Sequence, residues 1–421
     1  MNGLPGLIGS STHEAFSLRR WIAFFRDALN AADAPGVTMP NEVDSFIRHV
    51  SDALAHPDPN HFFPTWDRLA ELREGFRSRT RMGIGGDEQM VSASDIRQFL
   101  DRAAAALECG SRLALQPNQL CTSYFIHDVT EYEELPLNAA KPGSTEKPVI
   151  HVRAKAFRQV PVSAFLEGSV QALRSATPEE AAAIYRTVRK SSLYDAKLGM
   201  YRLNVPLKKE SFEIGRSKTF TPGWLENESI FLHMHYKFLL ETLRSGLAKE
   251  FFTDIRRALV AFQDPEIYGR SPLENSSFIC SSRFPDAKGH GTGFVALLTG
   301  ATAEWISMVF HMALGAAPFR VVDGELRFEP KPVLADWLFA SKAADGFAAH
   351  TFAVKLFGST WVVYDNPRRK STFGVGAVSP KSFTATYRDG RTVAQAGACL
   401  PAVLARDLRD GALDRLTIAL G

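Results

Sequence analysis

The spacing of apolar residues changes once along this chain, at Pro318, and that change limits the folds open to it. Upstream, residues 16–31, 42–55, 64–76 and 94–108 carry apolar side chains at helical spacing. Ser92 or Ser94 before Asp95 suits an N-cap, and Gly110 suits a helix stop. Helices resume at 162–175 and again after Thr177-Pro178-Glu179-Glu180, a cap, a first-position proline and two acids at the positive end of the dipole. A further pair, 226–245 and 247–262, is hinged at Gly246, and a last helix beginning near Phe294 stops at Gly315.

Beyond Pro318 the period is two. Val321-Val322-Asp323-Gly324-Glu325-Leu326-Arg327-Phe328 reads as strand, Asp-Gly turn, strand. Residues 349–357, 361–364, 382–387 and 392–395 read as further strands. The sequence therefore predicts a mainly α chain with a C-terminal β domain. Residues 1–318 form the helical part and 319–421 a β-sandwich. Between 113 and 160 five prolines and glycines break the helical pattern, and short β-like pieces such as 122–126 and 149–153 lie between them, giving an irregular insertion that is either functional or a plain surface excursion. Helical pairs in series can close into an (α/α) toroid. A closed ring of about six hairpins needs about twelve helices, more than this chain offers, so either the ring is smaller or the chain is part of something longer.

Composition removes several function classes. Lys and Arg total 49 against 46 Asp and Glu, so there is no electrostatic footprint for nucleic acid. The four cysteines are widely spread without a CxxC, which reads as reduced thiols, not a zinc site or a disulfide framework. The first residues lack a basic n-region and a long apolar core, so no signal peptide is expected and the location reads as cytoplasmic. The stretch 294–319 is long enough for a bilayer, but Glu304 and a cluster of Thr, Gly and Ser favour a buried helix in a water-soluble core. No membrane partner, metal or organic cofactor is expected.

No GxSxG, HExxH, P-loop or Rossmann fingerprint occurs. Gly289-His290-Gly291-Thr292-Gly293 lacks the GxGxxG spacing and reads as a tight turn. Chemistry concentrates between Thr221 and Trp305. Trp224, Glu226 and Asn227 precede His233, and Glu226 and His233, two helical turns apart, are expected to share one helix face. Carboxylate, amide and imidazole beside an indole suit a sugar; a capped amphipathic helix with a core histidine is the plainer alternative. The run Tyr268–Phe278 brings Arg270 and Glu274 among hydroxyls, suiting a polyol or an anion, or else a loop that ties two helices. Thr299-Gly300 at the head of an apolar helix exposes backbone N–H groups to an anion, with His233 as a second contact, or to water alone.

The run from Glu226 to His233, the run around Glu274 and the Thr299-Gly300 helix start resemble, in order and separation, those of inverting disaccharide and oligosaccharide phosphorylases. The chain is similar to the C-terminal part of a cellobiose phosphorylase-like protein. Ser192-Leu193-Tyr194-Asp195, the segment 222–232 and the segment 268–279 carry that likeness. The resemblance implies an (α/α)6 barrel with a β jelly roll, and phosphate contacts from His233, Thr299 and Gly300. It places Glu274 in the sugar site. Trp224, Glu226, Asn227 and Arg270 complete the expected sugar contacts. It implies reversible phosphorolysis of β-glucosidic sugars by inorganic phosphate. The family's catalytic acid motif, paired Asp before a Trp-containing helix, is not in this sequence; Asp58, in His56-Pro57-Asp58-Pro59-Asn60, does not match it. The catalytic residue is thus unassigned, and the expected partner is an upstream N-terminal half or a second copy. An inverting hydrolase and a non-catalytic carbohydrate-binding fragment are the alternatives.

Overall fold

A computed structural model describes residues 9–55, 62–117, 119–135, 151–295 and 300–421. Asp58 and Thr299 therefore lie outside the described residues. The chain is mixed helix and sheet and divides into two compact units.

The first unit comprises residues 1–197, 201–231 and 280–290. It holds helices α1 (His13–Ala32), α2 (Asn41–Ala53), α3 (Phe62–Thr80), α4 (Ala93–Ala114), α5 (Leu166–Arg174) and α6 (Pro178–Lys190). Helix α1 packs on α4 and α5, and α2 on α3. Ser92 is the N-cap of α4, its hydroxyl accepting from Asp95 N at 3.1 Å. The expected stop at Gly110 does not occur: α4 runs four residues further and ends before Pro117, since one exposed glycine weakens a helix by only about 1 kcal/mol. The start of α6 follows its sequence signature fully. Thr177 and Glu180 cap each other's backbone, with Pro178 in the first turn.

Strand content in this unit exceeds the expectation. The span read as irregular contains a long antiparallel hairpin, Tyr124–Leu135 with His151–Pro161, and Gly9–Ser11 pairs with its first strand. The prolines and glycines that broke the helical pattern fall mostly in the connection, residues 136–150, outside the described residues. Gly36–Pro40 pairs with Glu88–Ser92, two five-residue strands too short to show a period.

The segment 280–290 is tied in by a buried ion pair. Asp195 Oδ2 lies 3.4 Å from Arg202 Nε and accepts from Ser282 N at 2.8 Å, while Arg202 Nη1 donates to Ser192 O at 2.8 Å. A buried charge pair holds only when its remaining hydrogen-bonding positions are filled, as they are here.

The second unit comprises 198–200, 232–279 and 291–421. Helix α7 (Leu232–Arg244) packs on α8 (Ala248–Ala258) and on α10 (Gly300–Leu314); the short α9 (Pro265–Tyr268) leads into the polar run. Helix α7 starts six residues later than expected. Leu225 and Glu228 both have positive φ, 49° and 55°, so the backbone before Ile230 cannot be α-helical, and Glu226 does not share a helix face with His233. Helix α10 has 15 residues, about 22 Å at 1.5 Å per residue, and no helix among the described residues is long and apolar enough to cross a membrane. Its last carbonyls are satisfied: His311 O by Gly315 N, Met312 O by Val333 N and Leu314 O by Lys331 N, with the Tyr364 hydroxyl on Ala313 O.

Beyond Pro318 the hairpins fall where their turn residues place them. Phe319–Val322 pairs with Glu325–Phe328 around Asp323-Gly324, and Pro380–Tyr387 with Thr392–Ala396. The main sheet has five strands in the order Thr351–Leu356, Thr360–Asp365, Leu413–Leu420, Pro380–Tyr387, Thr392–Ala396. One pairing, Thr360–Asp365 with Leu413–Leu420, is parallel, and helix α11 (Ala402–Arg409) precedes the last strand. Two strands adjacent in a sheet but remote in sequence leave no local signal of direction.

The core of this unit holds a titratable group. His235, fully buried on α7, has Nε2 3.1 Å from Ala258 O, and burial pushes its pKa down from 6.5 to about 4. Above pH 6.5 the ring is neutral in folded and unfolded chains alike. Below it the unfolded chain takes up a proton that the buried ring refuses until about pH 4. Stability should therefore fall between pH 6.5 and 4 and level off beneath, by roughly 3 kcal/mol for this group. Urea unfolding of the wild type and His235→Gln at pH 7 and 4.5 checks this: the variant's pH slope should be visibly shallower.

Candidate functional site

Position 233 is the second residue of α7, and Leu232 N donates to Ser277 O at 3.0 Å, so the first turn of the helix is anchored on the polar run. Phe238, Leu239 and Leu240, further along α7, are buried, while the His233 side chain at the first turn is 28% exposed. The imidazole lies against the first residue of α10. A Cβ on Gly300 would sit 2.4 Å from His233 Cε1, 2.5 Å from Nε2 and 2.7 Å from Nδ1. Only glycine leaves room for a ring there.

His233 Nε2 lies 3.3 Å from Glu304 Oε1, 71 residues away in sequence and one turn into α10. The carboxylate fixes the ring's orientation. Glu304 was legible in the sequence only as the single charge in an apolar stretch; its role as a histidine partner depends on the packing of α7 against α10.

The polar run joins the same place. Asn275 Nδ2 donates to Thr302 Oγ1 in the first turn of α10 at 3.2 Å, and Asn275 Oδ1 accepts from the Tyr236 hydroxyl on α7 at 3.3 Å. That hydroxyl in turn accepts from Val260 N at 3.0 Å. One amide thus spans both helices, and neither Asn275 nor Thr302 was singled out from the sequence. Tyr268 holds the run in shape: its buried hydroxyl donates to Glu274 O at 2.8 Å and accepts from Ser276 N at 2.8 Å. Arg270 Nη1 pairs with Glu274 Oε1 at 3.0 Å and Arg270 Nε donates to Gly293 O at 3.0 Å. Arg270 and Glu274 are therefore brought together and are engaged with each other and the loop.

The remaining expected residues belong to the first unit. Trp224 lies beside Phe284, ring centroids 5.6 Å apart and 40° tilted. Glu226 Oε1 pairs with Arg216 Nη2 at 2.5 Å, and its other oxygen accepts from Ser217 Oγ at 3.3 Å. Asn227 Nδ2 donates to Phe220 O at 2.7 Å. Its Oδ1 is buried and has no hydrogen-bond partner among the described residues. Each side chain holds the turn at 220–228 in shape.

Among the described residues no three His, Cys, Asp or Glu side chains converge as a metal site, and all four cysteines are free. What the cluster in the second unit offers is an oriented imidazole, a carboxylate, a hydroxyl and the start of a 15-residue helix. Backbone N–H groups and the positive end of the dipole at such a start favour an anion. In comparison with known proteins, the chain matches no family model and no curated sequence.

Gly300→Ala tests the geometry directly. At an open helix position that change stabilises a protein by up to about 1 kcal/mol. Here the new methyl meets the imidazole, so urea denaturation should show a loss of about 1–3 kcal/mol. A gain in stability would mean that the ring does not lie on Gly300.

Proposed function

We propose that this chain is the C-terminal part of an inverting glycoside phosphorylase that acts on β-glucosidic disaccharides or oligosaccharides. The observation that supports the reading is the approach of His233 to Gly300. Two residues that the resemblance assigns to phosphate, far apart in sequence, meet at a helix start where a side chain would not fit. Thr299, the third, directly precedes Gly300.

In this reading inorganic phosphate occupies the start of α10. His233 and the first backbone N–H groups of the helix hold it, and Glu304 keeps the imidazole in place. A phosphate oxygen attacks the anomeric carbon as the glycosidic C–O bond breaks on the opposite face. The leaving oxygen takes a proton from a carboxylic acid, and the product is a sugar 1-phosphate of inverted configuration. Catalysis by the phosphate site is then mainly a matter of orientation and of charge placed where the oxocarbenium-like centre forms. The general acid is assigned to an upstream segment or partner. In the second unit, sugar contacts fall to Arg270 and Glu274. The finer fold reading belongs to the same proposal: the helical pairs, α5–α6 in the first unit and α7–α8 in the second, are each of the kind from which an (α/α)6 toroid is built, and the five-stranded sheet is a layer of its jelly-roll companion. The parallel strand pair departs from an all-antiparallel jelly roll.

Calorimetric titration with inorganic phosphate tests the reading. The wild type should bind phosphate saturably, and His233→Ala should weaken it at least tenfold with the fold intact. Equal affinity in the two proteins would contradict the assignment. With the upstream segment supplied, sugar release from cellobiose should require phosphate; release at the same rate without it would make the protein a hydrolase.

A further inference from the structure

Helix α6 of the first unit carries charges of two kinds. Glu180 is used in the cap with Thr177, and the Arg189 guanidinium lies over the Tyr194 ring, 3.7 Å from its centroid. Arg186 and Lys190, one helical turn apart, make no hydrogen bond or ion pair with any of the described residues. Both line one cavity of about 400 Å³, together with Leu120, Ala183, Thr187 and Ser191. Small-molecule sites fall in the range of roughly 300–1,000 Å³. No carboxylate among the described residues lines this cavity, so two cations that oppose each other across one turn face it uncompensated. At the carboxyl end of α6, Val188 O is engaged by Ser191 N at 3.1 Å and by the Ser191 hydroxyl at 2.8 Å.

The space continues along the helix. Ala183 and Thr187 also line a neighbouring cavity of about 200 Å³, where Leu115, Pro117 and Ile184 bring apolar surface. Residues 183, 186, 187 and 190 share one face of α6 by their spacing. The acid of the second cavity, Glu180, accepts from Thr177 N at 2.8 Å and sets a negative charge at that end. The groove is therefore basic at one end and apolar toward the other, with a carboxylate that rejects a second anionic group.

We infer that this groove on α6 is a binding site for an organic phosphomonoester whose body is apolar and uncharged. Charge selects the head. A phosphomonoester carries about −1.5 to −2 at pH 7, which two cations compensate, whereas a carboxylate leaves one of them over. Arg186 offers a planar fork to two phosphate oxygens and Lys190 a point charge, with the Thr187 hydroxyl as a neutral donor beside them. The walls select the body. Leu120 and Ala183, and beyond them Ile184, Leu115 and Pro117, give an alkyl or aryl group a surface that free phosphate cannot use. The site is independent of the phosphorylase reading and of the His233 cluster.

The test is calorimetry on the full chain with phenyl phosphate, inorganic phosphate and benzoate, in the wild type and in His233→Ala. Phenyl phosphate should bind both proteins saturably and with similar affinity. In His233→Ala it should bind at least tenfold more tightly than inorganic phosphate or benzoate. Arg186→Gln and Lys190→Gln, both at exposed helix positions, should each weaken it at least tenfold with unchanged far-UV circular dichroism. Ala183→Leu, also exposed, fills the path of the phenyl ring and should weaken it about fivefold or more. The inference is overturned if the wild type does not bind phenyl phosphate, or if Arg186→Gln and Lys190→Gln bind it as the wild type does. Loss of binding in His233→Ala overturns it too, by assigning the ester to the His233 cluster, and inorganic phosphate matching the ester in His233→Ala overturns the apolar body. None of these results bears on whether the chain is part of a phosphorylase.

Discussion

Helix α10 meets the imidazole of His233 because position 300 has no side chain, and the rest of the second unit is arranged around that meeting. At its far end α10 is fastened by Lys331 N, Val333 N and the Tyr364 hydroxyl. At its near end it is fastened by Asn275 to Thr302 and by His233 to Glu304. Helix α7 supplies the opposing surface, buried along most of its length and presenting His233 in its first turn. The carboxyl end of α10 is satisfied by hydrogen bonds.

In the proposed phosphate site Glu304 stands beside the anion, so its carboxylate opposes phosphate while the positive end of the α10 dipole favours it. A nucleotide needs a longer Gly-rich cradle than the run Gly289–Gly293 offers, so the proposal is confined to a small inorganic oxyanion.

Much of the fold was legible because it is locally encoded. The capping box at Thr177, the cap at Ser92 and the Asp-Gly turns at 323 and 389 mark ends and hairpins through residues next to each other. The long hairpin around 124–161 was legible only as β-like pieces at 122–126 and 149–153, since its strands pair across a Pro-rich connection that hides their length and pairing. The start of α7 was misplaced for a different reason: apolar spacing before Ile230 fits a helix, but positive φ at Leu225 and Glu228 forbids one. Site residues follow the same division. His233 and Gly300 stood out by type and position, while Glu304, Asn275 and Thr302 acquire meaning only once α7 and α10 pack together. Glu226, expected on the helix face of His233, is instead held by Arg216 in the first unit.

The proposed phosphate would contact both the His233 ring and the first amides of α10. Imidazole and backbone amide NMR during a phosphate titration reads both partners at once. The His233 ring resonances and the Gly300 and Ala301 amides should move together along one saturation curve, with the buried His235 ring still. If His233 and the two amides stay in place while phosphate rises well past millimolar, or move with different midpoints, the shared oxyanion site does not exist.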